Sequence, residues 1–582
     1  MPTNKTPAEL LDQYGDDDLH GQTGEILHKR IELLHGLVNG SEISERLASW
    51  REEAKKGLGG RPAVIDDTVV LVLMLALALE GTPLLITRMA DALTGRLHPE
   101  SRKLLGVYNI KGSPAQWYDR IHRCLHGMLK VIDPKPGPRY RRLTHDQHKH
   151  VLATRDRRES LKKMDRLDWV TNELVHLSVL LAGGQMDNWH GNMTIDATVF
   201  GVFNSRGAGY KSDKAATEYD AWWYIRNGAW KDNGPGKIKK AVFGYETHLI
   251  AASTNDGFTD QDNFPTLIIG MSCSKPSEDV ATYAMKAFNQ VDARHHDRIQ
   301  GALVIADRGY FASTKEEKLQ LPLRALGVGI VTDYKIEQLG IQDGHAGAIL
   351  VDGNWYCPSM PEQLVNASVA HRNGEIDDVT YYNFISSRKP YLLRRKDGDA
   401  RHGTTKMKCP AAGPNPTVQC PLKELGCVIE KAPTLKIRPQ ELPRYPDTIC
   451  TNKSSVTFEI TKGAKFQQEL QYKSPEWRRM YSVSRNTIET ANAHLKDENR
   501  ESLAASGRRR VRGYAAQYLF IATLVFASNF RRIDTHRKRT DAAAAAKEPR
   551  RFIENSLDDY RPKEAKWWKT GTQRFGPRPK VA

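Results

Sequence analysis

Two aspartates stand in runs of apolar, β-forming residues, and that placement constrains the fold more than any bulk property. Asn192-Met-Thr-Ile-Asp196-Ala-Thr-Val-Phe200 and Ala302-Leu-Val-Ile-Ala-Asp307-Arg-Gly-Tyr310 each read as a β-strand with a carboxylate inside it or at its end. A carboxylate so placed loses hydration and persists only with a partner, of which a metal ion is the commonest functional one. A third acid, Glu489, lies in Tyr481-Ser-Val-Ser-Arg485-Asn-Thr-Ile-Glu489-Thr-Ala-Asn-Ala-His-Leu-Lys496, a predicted helix. At about 100° per residue, Arg485 lies near −40° and Lys496 near −20° from Glu489, so the three share one face. Ile488, Ala491 and Leu495 form a separate apolar stripe that can pack on a sheet. A solvated helix face, with Arg485 and Glu489 paired at i,i+4, has the same spacing. Acids converging from separated segments, with cations beside them, suit metal-assisted phosphoryl transfer on nucleic acid.

The charge balance points the same way. A formal charge of +17 and a pI near 9.3 favour a polyanionic partner, because Lys and Arg that neutralise phosphates release counterions. A merely soluble basic protein would show that charge as well. At 582 residues the chain needs more than one domain. Seven cysteines, an odd number in so long a chain, do not suggest a disulfide framework. The first fifteen residues lack a signal pattern, and the most apolar run, 69–79, is roughly half of a membrane span. The expectation is a soluble cytoplasmic protein with no membrane partner.

Residues 1–132 read as a helical domain. A strong helix is predicted over 65–80, with Asp66 and Asp67 at its positive end, and a second over 84–93 that carries Arg88. Helix, short turn and helix permit a helix-turn-helix DNA reader using Arg88; a plain helical hairpin has the same punctuation. Residues 133–190 form a basic, proline-rich linker and a long helix with Leu161, Met164, Leu167, Val170, Leu174, Leu177 and Leu181 at helical spacing. Over 191–332, strands at 194–200, 240–252 and 266–272, a helix at 277–291 and a strand at 302–307 give the order of an α/β, ribonuclease H-like core. Residues 333–476 read as a mainly β insertion, rich in turns such as Asp352-Gly353. The core resumes over 477–530, with helices at 485–499 and 513–529. The tail, 531–582, is basic and is expected to be partly disordered.

Taken together, these motifs resemble the DDE transposases of bacterial insertion sequences. The likeness is to the group with a β-rich insertion before the last acid and a Tyr-Arg-Glu-Lys signature. Arg485, Glu489 and Lys496 keep that signature's spacing; Tyr481 does not, since three residues rather than two separate it from Arg485. Asp196 in Ile-Asp-Ala-Thr matches the first acid, Asp307 in Ala-Asp-Arg-Gly-Tyr the second, and Gly244-Tyr-Glu-Thr-His248 resembles the strand between them. The resemblance implies two Mg²⁺ ions, with Mn²⁺ as a substitute, held by Asp196, Asp307 and Glu489. Arg308, Arg485 and Lys496 would then steady DNA phosphates. It implies cutting at terminal inverted repeats and joining of 3′ ends to target DNA by a homodimer on double-stranded DNA. A domesticated or inactive descendant that binds DNA without cutting is the alternative, although all three acids are present.

Two further groups carry chemistry. Trp222, Trp223 and Trp230, interleaved with Arg226 and Lys231, can stack on an extruded base or simply pack. Cys409, Cys420, Cys427 and Cys450, with His402 nearby, can hold a structural zinc. The gaps of ten, six and twenty-two residues nevertheless lack a close cysteine pair, and ordinary reduced thiols are the other reading.

Overall fold

The computed structural model describes residues 24–55, 63–138, 142–203, 214–227, 238–258, 264–396, 403–423, 435–452 and 455–545. One compact unit runs to Asp534; a second begins at Thr535, and its described residues are helical to Ala545. The architecture is mixed α/β. Among the described residues no helix is long and apolar enough to cross a membrane.

The described chain opens with helices α1 (His28–Gly40), α2 (Ile43–Glu53), α3 (Asp67–Leu79), α4 (Ile86–Asp91), α5 (Pro99–Leu104) and α6 (Pro114–Ile132). Asp66 starts α3 by accepting a hydrogen bond from the Val69 amide at 3.0 Å. Every residue from Asp67 to Ala78 is buried, so α3 is a core helix rather than a surface one. The helix predicted over 84–93 is shorter in its α-helical part. After Asp91 the turn widens into a π segment, Ala92–Arg96, where the Thr94 hydroxyl donates to the Ala90 carbonyl at 2.7 Å. Ser113 and Gln116 close a capping box at the start of α6, with Pro114 in the first turn.

Helices α7 (His145–Ala153) and α8 (Arg157–Leu180) lead into the sheet. The apolar stripe of α8 begins at Met164; Leu161, in the first turn, is 57% exposed. The six-stranded sheet contains β1 (Met193–Gly201), β2 (Trp222–Asn227), β3 (Ile238–Ala252), β4 (Ile268–Ser274), β5 (Leu303–Ala306) and β6 (Gly329–Thr332). β3 pairs antiparallel with β1, β2 and β4, whereas β1–β5 and β5–β6 are parallel. Gly244 is required where β3 meets β1, because a Cβ there would lie 1.9 Å from the Phe200 carbonyl oxygen. α9 (Val280–Ile299), α10 (Arg308–Phe311) and α11 (Gln320–Ala325) connect the later strands.

The edge of β4 is closed by two asparagines. Asn172 of α8 accepts from the Met271 amide at 2.8 Å and donates to its carbonyl at 3.0 Å. Asn529, in the long helix that ends the core, does the same at Ile268, at 2.8 and 2.7 Å. A primary amide has the donor–acceptor pair of a peptide unit, so each side chain stands in for a neighbouring strand. Asn529→Leu, which leaves both Ile268 groups unsatisfied in a buried position, is expected to destabilise the fold by roughly 2–4 kcal/mol and to speed exchange of the Ile268 amide. Unfolding and hydrogen-exchange measurements check this; a wild-type exchange rate would contradict the edge-closing role.

Among its described residues, the insertion between β6 and the late helices is mixed rather than mainly β. It holds two three-stranded antiparallel sheets, β7 (Ile341–His345), β8 (Ala348–Val351) and β9 (Asn354–Tyr356), then β10 (Arg394–Lys396), β11 (Thr404–Lys408) and β12 (Val456–Glu459). Among them lie helices α12 (Glu362–Val365), α13 (Ala367–Asn373), α14 (Asp378–Ser387) and α15 (Thr448–Thr451). Local capping decides the helices: Gly374, at φ 78°, ends α13, and Asp377 accepts from the Thr380 amide to start α14. Asp352 and Gly353, at φ 43° and 90°, form the two-residue turn between β8 and β9. The insertion has an apolar cluster of its own, while the N-terminal helices, sheet and late helices share one larger core.

The chain returns to the core through α16 (Pro475–Lys496) and α17 (Tyr514–Ala545). α16 begins ten residues before the predicted start, capped by Ser474, whose hydroxyl accepts from the Trp477 amide. The entry to α17 is held by buried Glu218, whose two oxygens each accept from the Gly513 amide at 3.0 Å, with the Tyr245 hydroxyl at 3.3 Å. Burial pushes the Glu218 carboxyl up to about 7. Its folded value is raised, so its contribution to stability is complete below about pH 4.5 and is lost as pH rises through about 7, on the order of 3 kcal/mol. Glu218→Gln is expected to flatten the fall in melting temperature between pH 5 and pH 8. An unchanged fall would remove Glu218 as its source.

Candidate active site

The parallel register between β1 and β5 builds the first half of the site. Ile195 pairs with Ala306, so the next residues, Asp196 and Asp307, stand side by side at the carboxyl end of β5. Asp307 also starts α10, its Oδ1 accepting from the Gly309 amide at 2.8 Å. The second half comes from α16. Ile488, Ala491 and Leu495 are buried, and the Ser253 hydroxyl at the end of β3 donates to Ser484 at 2.7 Å, fixing the helix over the sheet.

This docking brings Arg485 among all three acids. Its guanidinium lies 3.6 Å from Asp196 Oδ1, 3.9 Å from Asp307 Oδ2 and 3.0 Å from Glu489 Oε1. Burial disfavours the charged form of Arg485, but its neighbours, led by Asp196 and Asp307, together outweigh it and hold the guanidinium above its ordinary range. Burial raises the Asp196 carboxyl; Arg485 pulls it down, and the neighbouring Asp307 and Glu489 push it up. The carboxylates run from the interior outward, with side-chain exposures of 19% for Asp196, 40% for Asp307 and 58% for Glu489. The centre is therefore a half-open acidic cleft with one internal cation.

Asn492 completes it. Its Nδ2 donates to Asp196 Oδ2 at 3.0 Å, while its Oδ1 is buried without a hydrogen-bond partner. Sequence reasoning passed over this residue, although at about −60° from Glu489 it falls between the charged and apolar stripes of the helix. Glu246 was also missed: it is a buried acid on β3, raised by burial and by the charge of Asp196, and accepts from the Ser277 amide at 2.9 Å.

The donor set fits a hard divalent cation. Three carboxylates against one guanidinium leave excess negative charge, and a buried amide oxygen lacks a donor. The acids are gathered around Arg485 rather than preassembled as a cage: among the described residues no group of three or more acids, histidines or cysteines is arranged to hold a metal.

The other predicted residues are distributed as follows. Arg308 is exposed beside Asp307. Lys496 ends α16, about 10 Å along the axis from Glu489 at 1.5 Å per residue. Tyr481 stacks on Trp477, with ring centroids 4.5 Å apart, and burial raises its hydroxyl. Trp222 and Trp223 are exposed on β2, Trp223 meeting Phe243 edge-on at 5.4 Å; Trp230 lies outside the described residues. Arg88 is exposed on α4 and pairs with Asp91 at 3.4 Å. Cys409 and Cys450 are buried in the insertion's apolar cluster and Cys420 packs against it. Cys427 and His402 lie outside the described residues. A thiol hydrogen bond from Cys357 draws the Cys409 thiol down to about 7. The described cysteines do not form a metal-holding group. No protein family matches the chain by sequence, and no curated protein does so either.

Proposed function

We propose that this chain is a DDE-type DNA transposase, cutting at the terminal inverted repeats of an insertion sequence and joining the 3′ ends to target DNA. The observation that carries the reading is the convergence of Asp196, Asp307 and Glu489 within 4 Å of the Arg485 guanidinium. The strand order β4–β3–β1–β5–β6, with β1 antiparallel to β3 and parallel to β5, supports a ribonuclease H-like reading of the sheet. The charge of +17 fits a DNA partner.

In this reading Asp196, Asp307 and Glu489 would hold Mg²⁺. Bound there, divalent metal supplies an activated oxygen nucleophile and charge stabilisation for in-line phosphoryl transfer. The chain's own groups do the positioning. The carboxylates act as anions and none need serve as general base. Arg485 offsets their mutual repulsion and offers a guanidinium to the scissile phosphate, since its planar fork matches two phosphate oxygens. Arg308, exposed at the rim, and Lys496, farther along α16, extend that cationic track along the DNA backbone. Joining two element ends at one target calls for two such centres, hence a homodimer on DNA.

Asp307→Asn keeps the shape of the side chain and its cap on α10 but removes one negative ligand. Mg²⁺-dependent nicking of terminal-repeat DNA is expected to fall by more than about 10²-fold, beyond the cost of losing a residue that only supports a ligand. Gel-shift affinity should stay within about twofold. Arg88→Ala should instead weaken binding and reduce its salt dependence without altering nicking at saturating protein. Wild-type nicking by Asp307→Asn would refute the catalytic reading; unchanged binding by Arg88→Ala would remove only the N-terminal reader.

A further inference from the structure

The contact between Asn492 and Asp196 is asymmetric in a way that packing does not explain. Nδ2 donates to Asp196 Oδ2 at 3.0 Å, and Asn492 as a whole is 7% exposed. The opposite amide orientation would set a carbonyl oxygen against a carboxylate oxygen, two acceptors with no proton between them, so the orientation is fixed. It leaves Oδ1 buried and unpartnered. An unsatisfied buried acceptor is a cost that an apolar residue of the same shape would avoid. Leu495, Ile488 and Ala491, on the neighbouring stripe, are apolar and buried, so a leucine at 492 would suit the surroundings.

We infer that Asn492 is a positioning residue for a divalent cation at Asp196. Its Nδ2 ties down Asp196 Oδ2 and so turns Oδ1, the oxygen that faces Arg485, toward the cleft. The unpartnered Oδ1 is the cost of that tie. A carboxylate held by one directed hydrogen bond loses less rotational freedom on binding a cation, and supporting contacts of this kind typically contribute 10- to 100-fold in metal affinity. An amide serves better than a fourth acid here, because it donates to Asp196 without adding to the crowded negative charge of the cleft.

The inference rests on the cation-binding reading of the same carboxylates, and titration of the full chain with Mn²⁺, followed by electron paramagnetic resonance, separates the two. Wild type should bind Mn²⁺ and Asp196→Asn should lose most of that binding. Asn492→Leu, which removes the donor to Asp196 along with the unpartnered acceptor, should bind Mn²⁺ about tenfold more weakly, and the Mg²⁺ concentration for half-maximal nicking should rise by a similar factor. A purely structural asparagine would leave Mn²⁺ affinity unchanged whatever the melting temperature of the variant. Wild-type Mn²⁺ affinity in Asn492→Leu overturns this inference alone. Absence of Mn²⁺ binding by the wild type at millimolar concentration overturns both it and the cation-binding reading.

Discussion

Three carboxylates share one guanidinium, and the surrounding structure serves that arrangement. Asp196 and Asp307 are neighbours because β1 and β5 run parallel in a fixed register, Ile195 opposite Ala306. A one-residue slip would turn one of the two side chains to the other face of the sheet. Like charges at that distance repel, more strongly where burial removes water, so the pair needs a cation nearby. Arg485 supplies it at 3.6 and 3.9 Å and also pairs with Glu489, one helical turn on. One positive charge does not balance three negative ones, and in the proposed reading a further cation takes up the excess.

Holding α16 in register over the sheet is therefore the main structural task, and it is a long-range one. The insertion separates β6 from α16 by some 140 residues of chain, yet it packs on a separate apolar cluster. Its Gln468 and Tyr472 hold Trp477 at the start of α16, so the insertion helps to seat that end of the helix. Farther along α16, the Ser253–Ser484 hydrogen bond and the entry of Ile488, Ala491 and Leu495 into the main core place Glu489. The sheet beneath is in turn sealed at β4 by Asn172 and Asn529, which makes an otherwise open edge part of the interior.

Much of this was legible in the sequence where periodicity and burial speak together. Strand patterns located Asp196 and Asp307, and the helical wheel set Glu489, Arg485 and Lys496 on one face. Residues whose role is tertiary were not legible. Asn172 and Asn529 look like polar defects in apolar helices until a strand edge is placed against them. Asn492 lies on the right part of the wheel, but a neutral amide gives no signal without the aspartate it touches. The helices of the insertion escaped notice because they are short, four to ten residues, and set by caps such as Asp377 and Gly374 rather than by an apolar repeat. The acidic stripe of α16, read as one solvated face or one functional face, is neither simply: Glu489 is exposed, while Arg485 is drawn inward.

The central claim is that these carboxylates hold divalent metal for phosphoryl transfer on DNA. The most direct test is a crystal of the protein with Mn²⁺ and a cleaved terminal-repeat DNA, examined by anomalous scattering. The account predicts Mn²⁺ bounded by Asp196, Asp307 and Glu489, with the DNA 3′ end beside it and Arg485 turned toward a phosphate. Manganese elsewhere on the chain, with this cleft free of anomalous signal and the DNA end remote from it, would contradict the account.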